Sequence, residues 1–265
     1  MVLSERTHDL SGLPRLVIAP KQRDERGNLY LSSPQQHYLQ RVRRLKVGDP
    51  FLVLDGSGGL WMAHWQPQGS RVVAWVETRP RELPVHVHLG LAVVKGPSFD
   101  EVLRQVTELG VAQITPLLTE RTVVEPGLGR QERWQKIVQE AVEQCERLRW
   151  PQIDPPTAWG DWVRALKVNW WGMAVARQEV PLLMQVLPKP PVGGDRDPVY
   201  RVAIAIGPEG GWTTAEIAQA RAQGGVPVSL GSTILRATTA AVVAAGLIAA
   251  VYSGQDASAV EGTYR

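Results

Sequence analysis

The sequence predicts an α/β protein in which a small β-rich domain precedes a larger domain built on a parallel sheet. Two observations support this fold class. Up to residue 76, short strand-like runs are separated by turn-forming clusters such as Asp55–Gly59. After residue 84, strand-like and helix-like segments alternate, as they do in parallel sheets. A proline-containing break, Arg79–Pro84, lies between the two patterns, so we expect domains at residues 1–80 and 84–265.

The small domain is expected to contain strands and one helix. The strand candidates are Arg15–Ile18, Phe51–Leu54, Leu60–Trp65 and Arg71–Val76. Ser33 caps a helix that continues to Leu45, with Pro34 at the first helical position, which proline tolerates well. A basic run of Arg41, Arg43, Arg44 and Lys46 lies at the end of this helix. Such runs are usually solvated faces, but they also suit phosphate binding.

The larger domain is expected to alternate strands with amphipathic helices. The strand candidates are Val85–Val93, Ile114–Leu118, Trp170–Ala176, Val202–Ile206 and Val226–Leu230. The strongest helix signal is Gln131–Leu148, where apolar residues recur with a 3.6 period. Capping boxes at Ser98–Glu101 and Thr213–Glu216 open two further helices. Pro188–Pro198 is expected to be a surface loop and the chain end to fray.

Composition excludes several classes of protein. The net charge of +3 and the pI of 9.2 permit an anionic partner without requiring one. A single cysteine, Cys145, leaves no intramolecular disulfide, and the histidine spacing matches no metal motif, so we expect no metal. The apolar run Ala240–Val251 is shorter than the ~20 residues of a membrane span and predicts a buried helix. With no signal-like start, the protein is expected to be cytoplasmic, without a membrane partner.

Two glycine-rich junctions between a strand and a helix, Gly207–Gly211 and Gly231–Arg236, are the candidate ligand loops. Ligands of parallel α/β sheets bind at the carboxyl ends of strands, where glycines allow close approach to the backbone. The first loop matches neither a P-loop nor a G-x-G-x-x-G motif. Its acidic residue, Glu209, favours a neutral or cationic ligand, and S-adenosylmethionine fits that description. The simpler alternative is that the glycines only make a tight turn.

The segments AIGPEGGWTTAEI and VSLGSTILRATTAA closely resemble the signature of the small-subunit (16S) ribosomal RNA methyltransferases that modify N3 of a uridine, a family of the SPOUT class. The resemblance includes His37-Tyr-Leu, Val42-Arg-Arg, Thr107–Val111 and Glu143-Gln-Cys-x-Arg147. It implies S-adenosylmethionine as cofactor and a deep trefoil knot near the carboxyl end. It also implies a PUA-like RNA-binding domain and a homodimer acting on 16S ribosomal RNA.

The resemblance also implies site residues. The cofactor would contact Ala174, Ile206, Gly207, Glu209, Gly210, Gly211, Leu230, Gly231, Ile234 and Leu235. RNA would contact Arg15, Arg43, Arg44, Arg121 and Arg147. N3 of uracil must lose its proton in such a reaction, so we expect Arg236, helped by a polar group such as Thr239, to stabilise the uridine anion. The alternative is that Arg236 only caps a helix or braces the knot. Ala237 and Thr238 stand where the family usually has Thr-Glu, so a role of that glutamate cannot transfer.

Two alternatives remain open at this point. One is a non-catalytic RNA-binding or assembly factor of the same fold, and the altered Leu235–Thr239 segment favours it. The other is a SPOUT methyltransferase that acts on another RNA. Of the tryptophans, Trp61, Trp65, Trp75 and Trp134 are expected to be core residues. Trp212 is expected to form a wall of the ligand pocket or of the dimer interface.

Overall fold

The computed structural model describes residues 2–4, 10, 12–67, 69–77, 82–94, 98–123, 127, 129–189 and 199–253. The chain divides into two compact units. The smaller unit comprises Met1–Glu82 and Val142–Trp150, and the larger comprises Leu83–Ala141 and Pro151–Arg265. The return of Val142–Trp150 to the smaller unit differs from the linear division expected above. The predicted linker, the loop Pro188–Pro198 and the chain end lie largely outside the described residues.

The smaller unit is built on a five-stranded sheet in the order β1-β5-β4-β3-β2. Its strands are β1 (Val2–Ser4), β2 (Arg15–Val17), β3 (Pro50–Leu54), β4 (Leu60–His64) and β5 (Arg71–Glu77). β3, β4 and β5 form an antiparallel meander, whereas β1 and β2 pair in parallel at its ends. Both faces of β3 are buried, because Phe51 and Val53 join one hydrophobic cluster and Leu52 and Leu54 join another. The four predicted strands are present, and β1 was not predicted.

The helix of the smaller unit is shorter than predicted. α1 covers Ser33–His37 and continues as a π-helical turn over Tyr38–Val42. Ser32, not Ser33, is the N-cap, and its backbone N–H donates to Gln35 Oε1 at 2.8 Å. Pro34 is therefore the second helical residue. The helix does not reach Leu45 because Arg44 adopts φ 57°, a left-handed conformation that ends a right-handed helix.

The segment Val142–Trp150 is hydrogen-bonded to the rest of the smaller unit. The N–H of Trp150 donates to the Gly56 carbonyl at 3.2 Å, and the N–H of Gly58 donates to the Leu148 carbonyl at 3.1 Å. Glu82 accepts from the backbone N–H groups of Leu148 and Arg149 at 3.1 and 3.0 Å. These bonds make the segment an integral part of the unit.

The larger unit contains a seven-stranded sheet in which every pairing is parallel. The strands are β6 (His86–Ala92), β7 (Gln113–Leu118), β8 (Gln152–Ile153), β9 (Thr157–Ala158), β10 (Trp170–Ala174), β11 (Arg201–Ile206) and β12 (Val226–Val228). The order is β12-β10-β11-β6-β7-β8, with β9 also on β7. The helices are α2 (Ser98–Glu108), α3 (Arg130–Cys145), α4 (Trp159–Ala165), α5 (Leu183–Val186), α6 (Thr214–Ala222) and α7 (Ala237–Ser253). The last four residues of α3 belong to the smaller unit. β8, β9, α4 and α5 were not predicted.

The central strand β11 is buried on both faces, as strands of parallel sheets usually are. Val202, Ile204 and Ile206 belong to a cluster that includes residues of α2 and α7. Ala203 and Ala205 belong to a second cluster with residues of α4. The fold is therefore a parallel sheet covered on both sides, as the alternating sequence pattern predicts. Among the described residues, no helix is long and apolar enough to cross a membrane.

A polar network lies among the buried side chains where β6 and β7 begin. His88 is 7% exposed, and its Nε2 lies 2.7 Å from Thr115 Oγ1. The Thr115 hydroxyl donates in turn to Asp154 Oδ2 at 2.5 Å. The indole N–H of Trp162 lies 3.3 Å from His88 Nε2. Burial of His88 lowers its pKa from 6.5 to about 4, although Asp154 acts in the opposite direction.

The tryptophan predictions hold for three residues of four. Trp65 and Trp134 are 2% exposed and Trp61 is 8% exposed. Trp75 is 42% exposed, so the prediction of a core position for it is wrong. In the sheet register Trp75 lies directly opposite Trp61. Of the two rings, Trp61 is buried and Trp75 is left partly open to solvent.

Candidate active site

Three loops leave the same edge of the large sheet. In the register of the parallel strands, Ala174 at the end of β10 lies opposite Ile206 of β11 and opposite Val228 of β12. The chain therefore leaves these neighbouring strands side by side, at their carboxyl ends. This is the edge at which open α/β sheets bind ligands. The sequence-predicted cofactor residues all lie at these strand ends or in the loops that follow them.

The loop Gly207–Gly211 is built around Trp212. The indole N–H of Trp212 donates to the Ala174 carbonyl at 2.9 Å, which joins this loop to the end of β10. A Cβ on Gly207 would lie 2.8 Å from the Trp212 ring, so the position has no room for a side chain. Gly211 adopts φ 70°, and its N–H donates to the Pro208 carbonyl at 2.8 Å. Gly207 is therefore required by the close contact with Trp212, and Gly211 by its positive φ. Without side chains at these positions, the backbone of the loop is also accessible to a ligand.

Two contacts attach the glycine loop to the loop that follows β7. Glu216 is 6% exposed and accepts from Thr213 N–H at 2.8 Å and from Glu120 N–H at 2.9 Å. Arg121 Nη1 donates to the Gly210 carbonyl at 2.7 Å. The capping box at the start of α6 is therefore present as predicted. The hydrogen bond from Glu120 N–H to Glu216 was not predicted. A capping-box motif shows that the glutamate accepts from the N-cap residue, but it does not show what binds to its other carboxylate oxygen.

The loop after β12 runs beside the chain that precedes α5. Ser229 N–H donates to the Pro181 carbonyl, and Leu183 N–H donates to the Ser229 carbonyl, both at 2.9 Å. Gly231 adopts φ 140°, which favours glycine, and its N–H donates to Ser229 Oγ at 3.2 Å. Leu230 is half-buried and Ile234 is 62% exposed. An apolar side chain is thus presented at the surface of this loop.

Arg236 and Thr239, the predicted catalytic residues, lie at the start of α7. The Arg236 carbonyl accepts from Ala240 N–H at 2.8 Å, so the first turn of the helix closes directly on Arg236. The Arg236 side chain is exposed and has no ion-pair partner among the residues that the structure describes. Thr239 is exposed in the same turn. A free positive charge therefore lies at the end of the third loop.

The predicted RNA-binding arginines have different environments. Arg43 and Arg44 are exposed, as is Arg121 beside the glycine loop. Arg15 is ion-paired with Glu146 at 3.2 Å. Arg147 is 2% exposed, and its guanidinium donates twice to Glu82, at 2.7 and 3.0 Å. A buried, paired arginine is poorly placed to meet a phosphate, so we assign Arg147 to the packing of the smaller unit.

The donor set at the sheet edge suits S-adenosylmethionine. Gly207, Gly210 and Gly211 expose backbone groups that can bind neutral polar atoms, and Glu209 adds an exposed carboxylate that complements a sulfonium charge. Leu235 is partly buried and packs against the core cluster that contains Ile206. Within the described ranges, no group of three histidine, cysteine or acidic residues could hold a metal ion.

Comparison with known families gives the class of protein. Residues 81–249 match the family described as RNA methyltransferase domain, and residues 31–64 match the RNA methyltransferase PUA domain. The chain thus combines an RNA methyltransferase domain with a PUA domain of the kind that RNA methyltransferases carry.

Individual relatives give the particular family. The chain is 42% identical over 241 residues to ribosomal RNA small subunit methyltransferase E of Synechocystis sp., covering 89% of this chain and 77% of that one. A methyltransferase from Legionella pneumophila, solved in complex with the bound cofactor SAM, is 28% identical with a TM-score of 0.76, covering 90% and 97% of the two chains. The Neisseria gonorrhoeae ribosomal RNA small subunit methyltransferase E shares the fold at 24% identity and a TM-score of 0.77, covering 91% and 98%. The chain belongs to the ribosomal RNA small subunit methyltransferase E family.

Proposed function

We propose that this chain transfers the methyl group of S-adenosylmethionine to N3 of a uridine in 16S ribosomal RNA of the small ribosomal subunit. The observation that carries the proposal is the meeting of three loops at one sheet edge, with Arg236 beside them, in a member of this family. The substrate places the protein in the cytoplasm with the ribosomal subunit that it modifies.

The cofactor residues are the ten predicted from the sequence. When bound, the cofactor supplies a methyl group on a positively charged sulfur. Gly207, Gly210, Gly211 and Gly231 give it access to the backbone, while Glu209 supplies negative charge. Ala174, Leu230, Ile234 and Leu235 supply apolar surface, and Ile206, whose side chain is buried, contributes its backbone at the strand end. Trp212 holds the first loop against Ala174 and so fixes two of the three loops relative to each other.

Arg236 provides the electrostatic part of the mechanism. N3 of uracil must lose its proton before it can accept a methyl group, and the resulting anion needs positive charge beside it. The guanidinium of Arg236 can supply that charge, and the Thr239 hydroxyl can donate a hydrogen bond to a carbonyl of the base. Ala237 and Thr238 carry no carboxylate, so the group that accepts the proton lies elsewhere.

A knotted carboxyl region and a homodimer complete the proposal. The hydrogen bonds of Ser229 with Pro181 and Leu183 support the knot, because they hold the loop after β12 against an earlier loop. Exposed apolar side chains on those two loops, at Leu182 and Ile234, and on α5, at Met184, are a surface that a second copy would cover.

Arginines provide the contacts with the phosphates of the RNA. Arg43 and Arg44 on the smaller unit and Arg121 on the larger are exposed, and Arg15 contributes a partly exposed charge. RNA affinity should therefore fall as salt rises, and less steeply when any of these arginines is replaced.

The test is a methylation assay with labelled S-adenosylmethionine on small ribosomal subunits from cells that lack the endogenous enzyme. Mass spectrometry of the nucleosides should identify 3-methyluridine. Transfer to another RNA or another base would replace the substrate assignment. A protein that binds RNA but not the cofactor would instead be the non-catalytic binding factor that the Ala237-Thr238 departure allows.

A further inference from the structure

An aromatic pair lies on β4 and β5 of the smaller unit, and one of its rings is open to solvent. Trp61 and Trp75 are directly opposite in the antiparallel register, with ring centroids 5.2 Å apart and planes at 78°. Trp61 is 8% exposed, whereas Trp75 is 42% exposed. The buried ring thus supports the exposed one in the edge-to-face geometry that aromatic pairs favour. Trp75 therefore packs against Trp61 and still offers a large part of its ring surface.

A guanidinium group lies beside this pair. The Arg23 side chain is placed 4.2 Å above the centre of the Trp61 ring, a distance typical of a cation–π contact. The backbone of Arg23 is fixed by an antiparallel bridge to Leu29. Among the residues that the structure describes, Arg23 has no carboxylate partner, because the neighbouring Asp24 accepts from Asn28 instead. The charge of Arg23 is therefore available to an anion next to Trp75.

A supported, exposed tryptophan beside an unpaired arginine is the arrangement with which proteins bind unpaired bases. The ring stacks on the face of a base, and the guanidinium meets a neighbouring phosphate. We propose that Trp75, supported by Trp61 and flanked by Arg23, is a stacking platform for a single-stranded segment of the RNA substrate. This inference rests on the proposed function for its RNA, but it concerns a surface separate from the cofactor loops.

Affinity measurements on the full-length chain test the platform. The probes are a short single-stranded oligouridylate and an RNA duplex of the same length. Trp75→Ala should weaken binding of the single strand about ten-fold and leave duplex binding nearly unchanged, because paired bases are not free to stack. Trp75→Phe should restore most of the affinity, since it restores an aromatic face. Val73→Thr, on the same strand at a 37% exposed residue, is the matched control and should bind like wild type.

Salt dependence separates stacking from charge. The slope of log affinity against log salt should be unchanged in Trp75→Ala, which loses no phosphate contact, and shallower in Arg23→Gln, which loses one. Wild-type affinity of Trp75→Ala, or equal losses on single strand and duplex, would overturn the proposal. A change of oligomeric state in Trp75→Ala would overturn it as well, by identifying the patch as a contact between copies.

The methylation assay distinguishes failure of this inference from failure of the proposed function. If wild type forms 3-methyluridine and Trp75→Ala has an unchanged KM, the platform is excluded and the function stands. If KM for RNA rises while kcat is kept, the platform is supported. If wild type transfers no methyl group, the proposed function fails, and the oligouridylate measurements decide the platform independently.

Discussion

Arg236 combines exposure, a fixed backbone and the absence of an ion-pair partner among the described residues. Replacing it with alanine removes the charge that stabilises the uridine anion. We expect kcat to fall about 100-fold or more, with little change in the affinity for S-adenosylmethionine. Arg236→Lys should keep part of the activity because it keeps the charge. The measurement is single-turnover methylation of small ribosomal subunits, alongside cofactor binding by calorimetry.

Arg221→Ala, at an exposed arginine in the last turn of α6, is the control for loss of a positive charge and should retain activity. Rising pH should partly restore Arg236→Ala, because hydroxide removes the N3 proton without help from the protein. Equal loss of activity in the two alanine variants, or unchanged activity in both, would contradict the assigned role.

At the scale of single residues, the sequence predicts which residues form a loop better than it predicts how exposed each side chain is. The glycines of residues 207–211 were correctly expected to make a loop, because a strand and a capping box flank them. The exposure of Trp75 and the burial of Arg147 were not predictable. Each depends on the residue that lies opposite in the folded chain, Trp61 for the first and Glu82 for the second. The cofactor and catalytic assignments remain predictions.

Among the elements, α6 shows how one carboxylate holds two segments. Glu216→Ala leaves the buried N–H of Thr213 and that of Glu120 without their acceptor, so we expect a loss of about 3 kcal/mol in the free energy of unfolding. Glu216→Gln keeps one acceptor oxygen and should lose about half of that. Thr214→Ala, at the exposed first residue of α6, is the control, and its free energy of unfolding should stay within about 0.5 kcal/mol of wild type. Urea denaturation measures the stability of all three variants. Equal stability of Glu216→Ala and Thr214→Ala would show that the hydrogen bonds of Glu216 with Thr213 and Glu120 do not stabilise the fold.

The length of an element decided whether it was predictable. The long helix α3 carries enough periodic residues to be recognised, and α7 and β11 carry continuous apolar runs. β8 and β9 have two residues each and α5 has four, too few for any period to repeat. Such short elements exist because a neighbour pairs with them, as β7 pairs with β8. The early end of α1 has a similar cause, since the left-handed Arg44 outweighs the helical pattern.

For the molecule as a whole, His88 links stability to pH. Its pKa is about 4 in the folded protein and near its ordinary 6.5 in the unfolded chain, because burial disfavours the charged ring. Below pH 6.5 the unfolded chain therefore binds a proton that the folded protein does not, and stability falls as pH falls, until His88 protonates near pH 4. Between about pH 7 and about pH 5, the loss should be about 2 kcal/mol.

Urea denaturation at both pH values measures this loss. His88→Gln should be less stable than wild type at neutral pH, because it disturbs the network with Thr115 and Trp162. Its stability should nevertheless change less between the two pH values. A variant as acid-sensitive as wild type would show that the dependence arises at another group, such as His86, whose pKa burial also lowers.

The return of Val142–Trp150 to the smaller unit affects the order in which the chain can fold during its own synthesis. When the first 82 residues have left the ribosome, Glu82 still lacks Arg147, and Gly56 still lacks Trp150. At about 5–20 residues per second, the missing segment follows only after several seconds. The part of the protein that is translated first is therefore completed late, and until then its nascent chain presents unfinished surfaces that ribosome-associated chaperones can bind.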